Sequence, residues 1–487
     1  MKKFFLMFCV LALASVTFAV PYASQITLSD NEVYPGNGAT ISYFVNQAGG
    51  TATIKIKDAS TEAEVASFSG PAALGDNSVE WDGTVDNSGG SNVATGEYRV
   101  EITIDANTTS EWSEISSNSS LGDYVGDPWT DTTYNTLWDG FSPMEMLISQ
   151  NPDEDSFGYV LCSSSYSGVA GHVVFNPDLS LTFGGDGTNF YLAYPAEDAG
   201  STDIWGNCFD PEDPDYCWVA GQDGERHVMF GKWNEATLTD VDNDNADLSL
   251  ARDIDVTMEG GTKYAYVSNG TEQVWKCEVT NDNLIAASPA PIEILGFTTE
   301  NRYSKGVDFD SNGNLYWTSR YNDSASGDGG AIFRWDASTI AGATADSLTE
   351  SNAAWVVNFP GSNLEGIAIN PDGDVYASIA GEDSEGNDGS YRGIYYVGNT
   401  STASINTTLT ASDRVYAYPG TDFGSTITGY GQGLAADIGG NLYFNDRGTE
   451  QIRVIGPGGE TSISAYAPLS QNLTVDETPL SADQNWN

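Results

Sequence analysis

The sequence predicts an all-β chain in two parts, a small N-terminal sandwich and a longer array of repeated four-stranded sheets. Three observations carry that reading. No stretch sustains the 3.6-residue apolar period of an amphipathic helix, while alternating or short apolar runs bounded by Gly, Asn and Asp recur throughout. Glycine is abundant at 53 residues, as suits a chain that reverses direction often. An eleven-residue pattern also returns without a gap in three places, which marks an internal repeat.

Met1-Lys2-Lys3, the apolar run Phe4 to Ala14 and then Thr17-Phe18-Ala19 have the three parts of a bacterial-type secretory signal peptide, so residues 1–19 are set apart from the fold. That run is too short to cross a bilayer, and no later stretch approaches the ~20 apolar residues a spanning helix needs. The expected location is secreted or at the cell surface, without membrane insertion. Sixty-nine acidic residues against 18 basic ones give a net charge of -51. Nucleic acid is excluded as a partner, since neutralising phosphates takes clustered Lys and Arg. Anionic membranes are disfavoured for the same reason. A solvated acidic surface, cation binding or attraction of a basic partner remain as explanations of the charge.

Cys9 leaves with the leader, and Cys162, Cys208, Cys217 and Cys277 allow three pairings. Cys208 and Cys217 flank the turn-rich Phe209 to Tyr216 and are the expected disulfide, which an exported protein can form. Zinc is not expected, because there is no Cys-x-x-Cys pair and His172 and His227 are the only histidines.

Residues 25–105 alternate cleanly, as in Ala39 to Val45 and Ala52 to Asp58, and turn about every ten positions, as in a small sandwich. Near its end stand Trp81-Asp82-Gly83 and Gly96-Glu97-Tyr98. This Trp-Asp-Gly turn followed by a Gly-x-Tyr strand resembles the Ig-like domain of the flagellar hook-capping protein FlgD. That resemblance implies a spacer or docking module and no activity. Residues 106–122 are polar and Ser-rich and read as a linker.

The repeat then begins. Its best copies are Gly306 to Tyr316, Gly366 to Tyr376 and Gly433 to Tyr443, each reading strand, tight Asn/Asp/Gly turn, strand. A looser copy opens at Arg252, and degenerate ones open near Met144 and Asp203. The spacing suits six four-stranded blades over residues 123–475, a six-bladed β-propeller, with a tail at 476–487. Asn441 to Ile455 and, more weakly, Tyr266 to Trp275 resemble NHL-repeat blade centres. That family builds six-bladed propellers related to lactonase, regucalcin and streptogramin-lyase propellers, and the likeness bears on fold far more than on activity.

Propeller ligands bind where the inner strands converge at one mouth of the channel. The residue before each repeat Gly is Lys305, Glu365 or Gln432, with Arg252 and Asp253 in the looser copy. Past the second-strand aromatic stand Asn269, Arg320, Asn445, Asp446 and Arg447. This ring of charge and amide suits a polar small molecule or a cation; alternatively its members satisfy one another and channel water. Calcium-dependent lactonase propellers use a Glu, two Asn and an Asp as metal ligands. Glu365, Asn269, Asn445 and Asp446 imitate that set in part, with Lys305 or Arg252 nearby to repel a cation. Asp240, Asp242 and Asp244 form an acidic loop like the start of an EF-hand, without Glu at the twelfth position. Nucleophilic catalysis has little support, because no Gly-x-Ser-x-Gly elbow with a downstream His exists.

The expected function is therefore that of an exported, non-catalytic binding or scaffold protein whose propeller face takes a protein or glycan at the cell surface. The residues establish no cofactor, and calcium is the one they would suit. A calcium-dependent lactonase-like hydrolase and a structural subunit of a surface layer or appendage are the alternatives.

Overall fold

The computed structural model describes residues 20–34, 38–105, 112–117, 143–164, 171–180, 191–193, 204–221, 228–233, 238–242, 248, 251–270, 273–297, 302–322, 330–359, 364–379, 392–417, 433–446, 451–457 and 463–475. Its regular structure is almost all β, in eight sheets of three to six strands among the described residues.

Two sheets make the N-terminal part. Ala23–Leu28, Ala39–Val45 and Gly75–Trp81 form one, and Ala52–Asp58, Glu64–Gly70 and Gly96–Ile104 belong to the other. Alternation turns Ile41, Tyr43 and Trp81 of the first and Ile54, Ile56, Val100 and Ile102 of the second into one buried core. The Trp-Asp-Gly turn is fixed by its own side chains. The Trp81 indole donates to the Thr84 carbonyl at 2.9 Å, and Asp82 accepts the N–H groups of Thr84 and Gly89. Gly83 takes a φ of +80°, which a Cβ would disfavour.

The second sheet is completed from the far end of the chain. Ile463–Tyr466 and Leu473–Val475 pair antiparallel with Gly96–Ile104, and Glu32–Val33 pairs with Leu473–Val475. The sequence assigned residues up to 475 to the repeat; these two strands instead bury Ala465, Leu473 and Val475 in the sandwich core. Short alternating strands fit any half-exposed sheet, so their composition names no partner. A reverse exchange occurs within the expected linker 106–122. Ser113–Ser117 is a strand, paired with Gln451–Gly456 as the outer strand of the last sheet. An edge strand needs backbone pairing and little else, and Ile115 anchors it against the cluster that holds Tyr443 and Ile452.

The other six sheets follow one another along the chain. Their first strands are Pro143–Ile148, Ile204–Phe209, Ala251–Glu259, Arg302–Phe309, Leu364–Ile369 and Leu434–Ala436. Each packs against the next, and Leu434–Ala436 packs back on Pro143–Ile148. The best repeat copies are hairpins, in which Arg302–Phe309 pairs with Leu315–Asn322, Leu364–Ile369 with Asp374–Ile379, and Leu434–Ala436 with Leu442–Asp446. Gly313, Gly373 and Gly440 occupy the same turn position with φ of +76°, +80° and +74°. Two of these turns carry the same polar corner. Asp310 accepts from the Asn314 amide at 2.8 Å and the Tyr316 hydroxyl at 3.2 Å, and Asp437 accepts from Asn441 at 2.8 Å and Tyr443 at 3.1 Å.

The expected Cys208–Cys217 disulfide is not formed; all four described cysteines are free and buried. Cys208 stands opposite Trp218 and Cys217 opposite Phe209, one register step apart, so the thiols point to opposite faces of their sheet. Cys208 packs with Trp218 and Ile254, and Cys217 with Leu161 and Val219. Geometry of that kind cannot be bridged.

Candidate functional site

The six first strands enclose a cavity of about 360 Å³. Each contributes lining: Glu145 to Ile148, Asn207 to Phe209, Asp253 to Asp255, Gly306 to Asp310, Glu365 to Asn370, and Leu434 to Ala436. Gln150, also in the lining, donates from Nε2 to the carbonyls of Ile369 and Ala436, both at 2.8 Å.

Carboxyl groups dominate the wall, and the neighbouring backbone engages them. Asp253 accepts the N–H of Ile254 and, on the next sheet, the N–H of Val307, each at 2.9 Å. Asp255 repeats the arrangement one step on, with Val256 at 2.7 Å and Phe309 at 2.8 Å. Two glycines leave room for Asp253: a Cβ at Gly206 would lie 2.1 Å from its Oδ1, and one at Gly306 would lie 3.1 Å from its Oδ2. Burial pushes the Asp255 carboxyl up to about 6, while N–H bonds and hydrogen bonds from Asp308 and Cys208 hold it down. Asp308, hydrogen-bonded to Asp255, is raised well above its ordinary value by burial and by the charges of Asp255 and Asp253. Asp253 is raised well above its ordinary value by burial and by Glu145. The Glu145 carboxyl is pushed up to about 7 by burial, against the pull of Lys305.

Toward the start of the same strands cations join the carboxyls. Lys305 lies 3.9 Å from Glu365, both buried, and burial lowers the Lys305 pKa against the pull of Glu365 and Glu145. The Arg252 guanidinium lies 3.6 Å from the centre of the Trp205 ring, and Lys305 faces the same ring at 5.4 Å. The repeat phase thus brings Arg252, Asp253, Lys305 and Glu365 together.

Other expected residues fall differently. Asn269 ends the strand Thr262–Asn269, buried, with its amide on Gln273. Asn445 is buried on Leu442–Asp446, the strand that Asp446 ends, and Arg320 belongs to Leu315–Asn322. Asp240 accepts the N–H of Asp242 at 3.2 Å, and the buried Asp242 accepts that of Val228 at 3.3 Å. Gln432, Arg447 and Asp244 lie outside the described residues. No group of three His, Cys, Asp or Glu side chains with metal-binding geometry occurs among the described residues. Sequence reasoning missed Glu145, Asp255 and Asp308. Asp255 and Asp308 occupy the same place in adjacent copies, three residues past Arg252 and Lys305.

No family model and no curated protein matches the chain. Among solved structures it is similar to a gluconolactonase from Xanthomonas campestris, at 11% identity and a TM-score of 0.32, over 55% of this chain and 83% of that one. A chain of a mitotic checkpoint complex is similar at 11% identity and a TM-score of 0.35, over 66% of this chain and 93% of that one.

Proposed function

We propose that this chain is an exported, non-catalytic binding or scaffold protein, in which an Ig-like sandwich spaces or docks a six-bladed propeller and the propeller face takes a protein or glycan partner. The closed succession of six first strands supports the propeller, and so does the outer strand Ser113–Ser117, which ties the start of the array to its last sheet. One observation carries the non-catalytic reading. The axial acids are spent on the fold, since Asp253 and Asp255 each accept one N–H from their own strand and one from the next sheet. A carboxylate so engaged is a poor general base. The cavity lining holds no histidine among the described residues, and burial raises the Cys208 thiol well above the range where it would ionise.

The purified protein assayed with calcium against a panel of lactones is expected to show no turnover above buffer, and a glycan and surface-protein array is expected to show retained binding after Asp255→Asn. Lactone hydrolysis abolished by Glu365→Gln would overturn the reading in favour of a hydrolase.

A further inference from the structure

We infer that proteolysis on the N-terminal side of Val20 makes Val20 the amino terminus, and that the α-ammonium so produced locks the sandwich to the last repeated sheet by seating on Asn441 with Asp437 behind it. This rests on the exported reading above. Val20 is 4% exposed. Its nitrogen donates to the Asn441 side-chain oxygen at 3.3 Å, and its carbonyl accepts from the side-chain amides of Asn441 at 3.2 Å and Asn46 at 3.3 Å. Asn46 also accepts the N–H of Tyr22 at 2.8 Å. An asparagine of the sandwich and one of the last sheet therefore clamp the same main-chain unit from two sides. The close approach is built in, since a Cβ on Gly439 would lie 3.2 Å from Val20.

Among the described residues, no cation faces the carboxylate in this recess. Asp437 is fully buried, and its oxygens take hydrogen bonds from neutral donors only in the contacts described: the Asn441 backbone and amide, the Gly439 N–H and the Tyr443 hydroxyl. Burial pushes its carboxyl up to about 6, and burial with the Asp437 charge raises the neighbouring Tyr22 phenol. A buried carboxylate is costly until a cation faces it. Hydrolysis of the bond before Val20 consumes one water, leaves a carboxylate on the departing leader and gives Val20 an amine that takes up a proton. That proton's charge arrives one carboxamide away from Asp437. Removing the leader thus supplies a counter-ion that is not among the described contacts of Asp437.

The test compares two forms of the full mature chain, one released from a fusion so that it begins at Val20 and one carrying Gly-Ser before Val20. An ammonium stabilised by folding has a raised pKa, so its contribution is complete below the unfolded amine pKa of about 8 and is lost as the pH rises through the folded one. The Val20 form is expected to unfold about 2 °C above the Gly-Ser form near pH 7 and to lose that margin in more alkaline buffer. Its α-amine should acylate about tenfold more slowly folded than in urea, and Asn441→Ala should restore the rate. Equal midpoints throughout, or an amine acylated as fast folded as unfolded, would overturn the lock while leaving export untouched. Where Asn441→Ala does not fold, the Gly-Ser form still decides. Amino-terminal sequencing of the exported precursor is expected to read Val-Pro-Tyr; another first residue overturns the processing site, and an uncut chain overturns the exported reading as well.

Discussion

Asp253 belongs to one sheet and holds the next, because its Oδ2 accepts the backbone N–H of Val307, 54 residues further along the chain, at 2.9 Å. Replacing it by Ala leaves that buried N–H without an acceptor, at a cost of about 1–3 kcal/mol. Asp253→Asn keeps one acceptor oxygen and should lose less. Urea unfolding of the two variants should rank them in that order, and a harmless Asp253→Ala would remove the bridge from the account of the fold.

The Lys305–Glu365 pair, 3.9 Å apart and buried, should behave asymmetrically. Lys305→Met strands the carboxylates of Glu365 and Glu145 and is expected to destabilise by about 3–5 kcal/mol, while Lys305→Met with Glu365→Gln should recover much of the loss. A double-mutant cycle on the urea midpoints reads the coupling directly.

Stability should fall as the pH rises from about 4 through neutrality. Glu145 and Asp255 are raised, to about 7 and about 6, chiefly by burial, and Asp253 and Asp308 are raised well above their ordinary values. In the unfolded chain such groups lose their protons near pH 4. Between that point and their folded values the folded state holds the extra protons, so each step up in pH favours unfolding. Calorimetry should give a higher unfolding midpoint at about pH 5 than at about pH 8, with a flatter profile in Asp308→Asn. A midpoint that rises over this interval would contradict the upward shift of these carboxyls.

Thiol titration in denaturant of a form that begins at Val20 should find four reactive thiols, with no change in unfolding midpoint on adding a reductant. A bridge detected between Cys208 and Cys217 would require their sheet to be out of the register that places them on opposite faces.

What the sequence disclosed follows the range of the interactions. The hairpins at Gly313, Gly373 and Gly440 were legible because a left-handed turn residue between alternating strands is a local signal. The convergence of Arg252, Lys305 and Glu365 was legible from repeat phase. The seat of Ile463–Tyr466 was not, since the hydroxyls of Thr103 and Ser464 meet at 2.6 Å across 361 residues of chain and neither segment advertises the other. Asp255 and Asp308 escaped notice for another reason: in a chain with sixty-nine acidic residues, one more acid at a strand centre carries no information until burial singles it out.

The exchange of end strands has a consequence for biosynthesis. A ribosome that releases this chain N-terminus first makes the strands of the sandwich early, yet the partners that finish its sheet, Ile463–Tyr466 and Leu473–Val475, emerge only after the six repeated sheets. The last repeated sheet waits in turn with its outer strand, Ser113–Ser117, already made. Such long-range closure is slow and gains nothing until both ends are present. Neither the sandwich nor the last repeated sheet can therefore be completed until segments far apart in the chain have both been made.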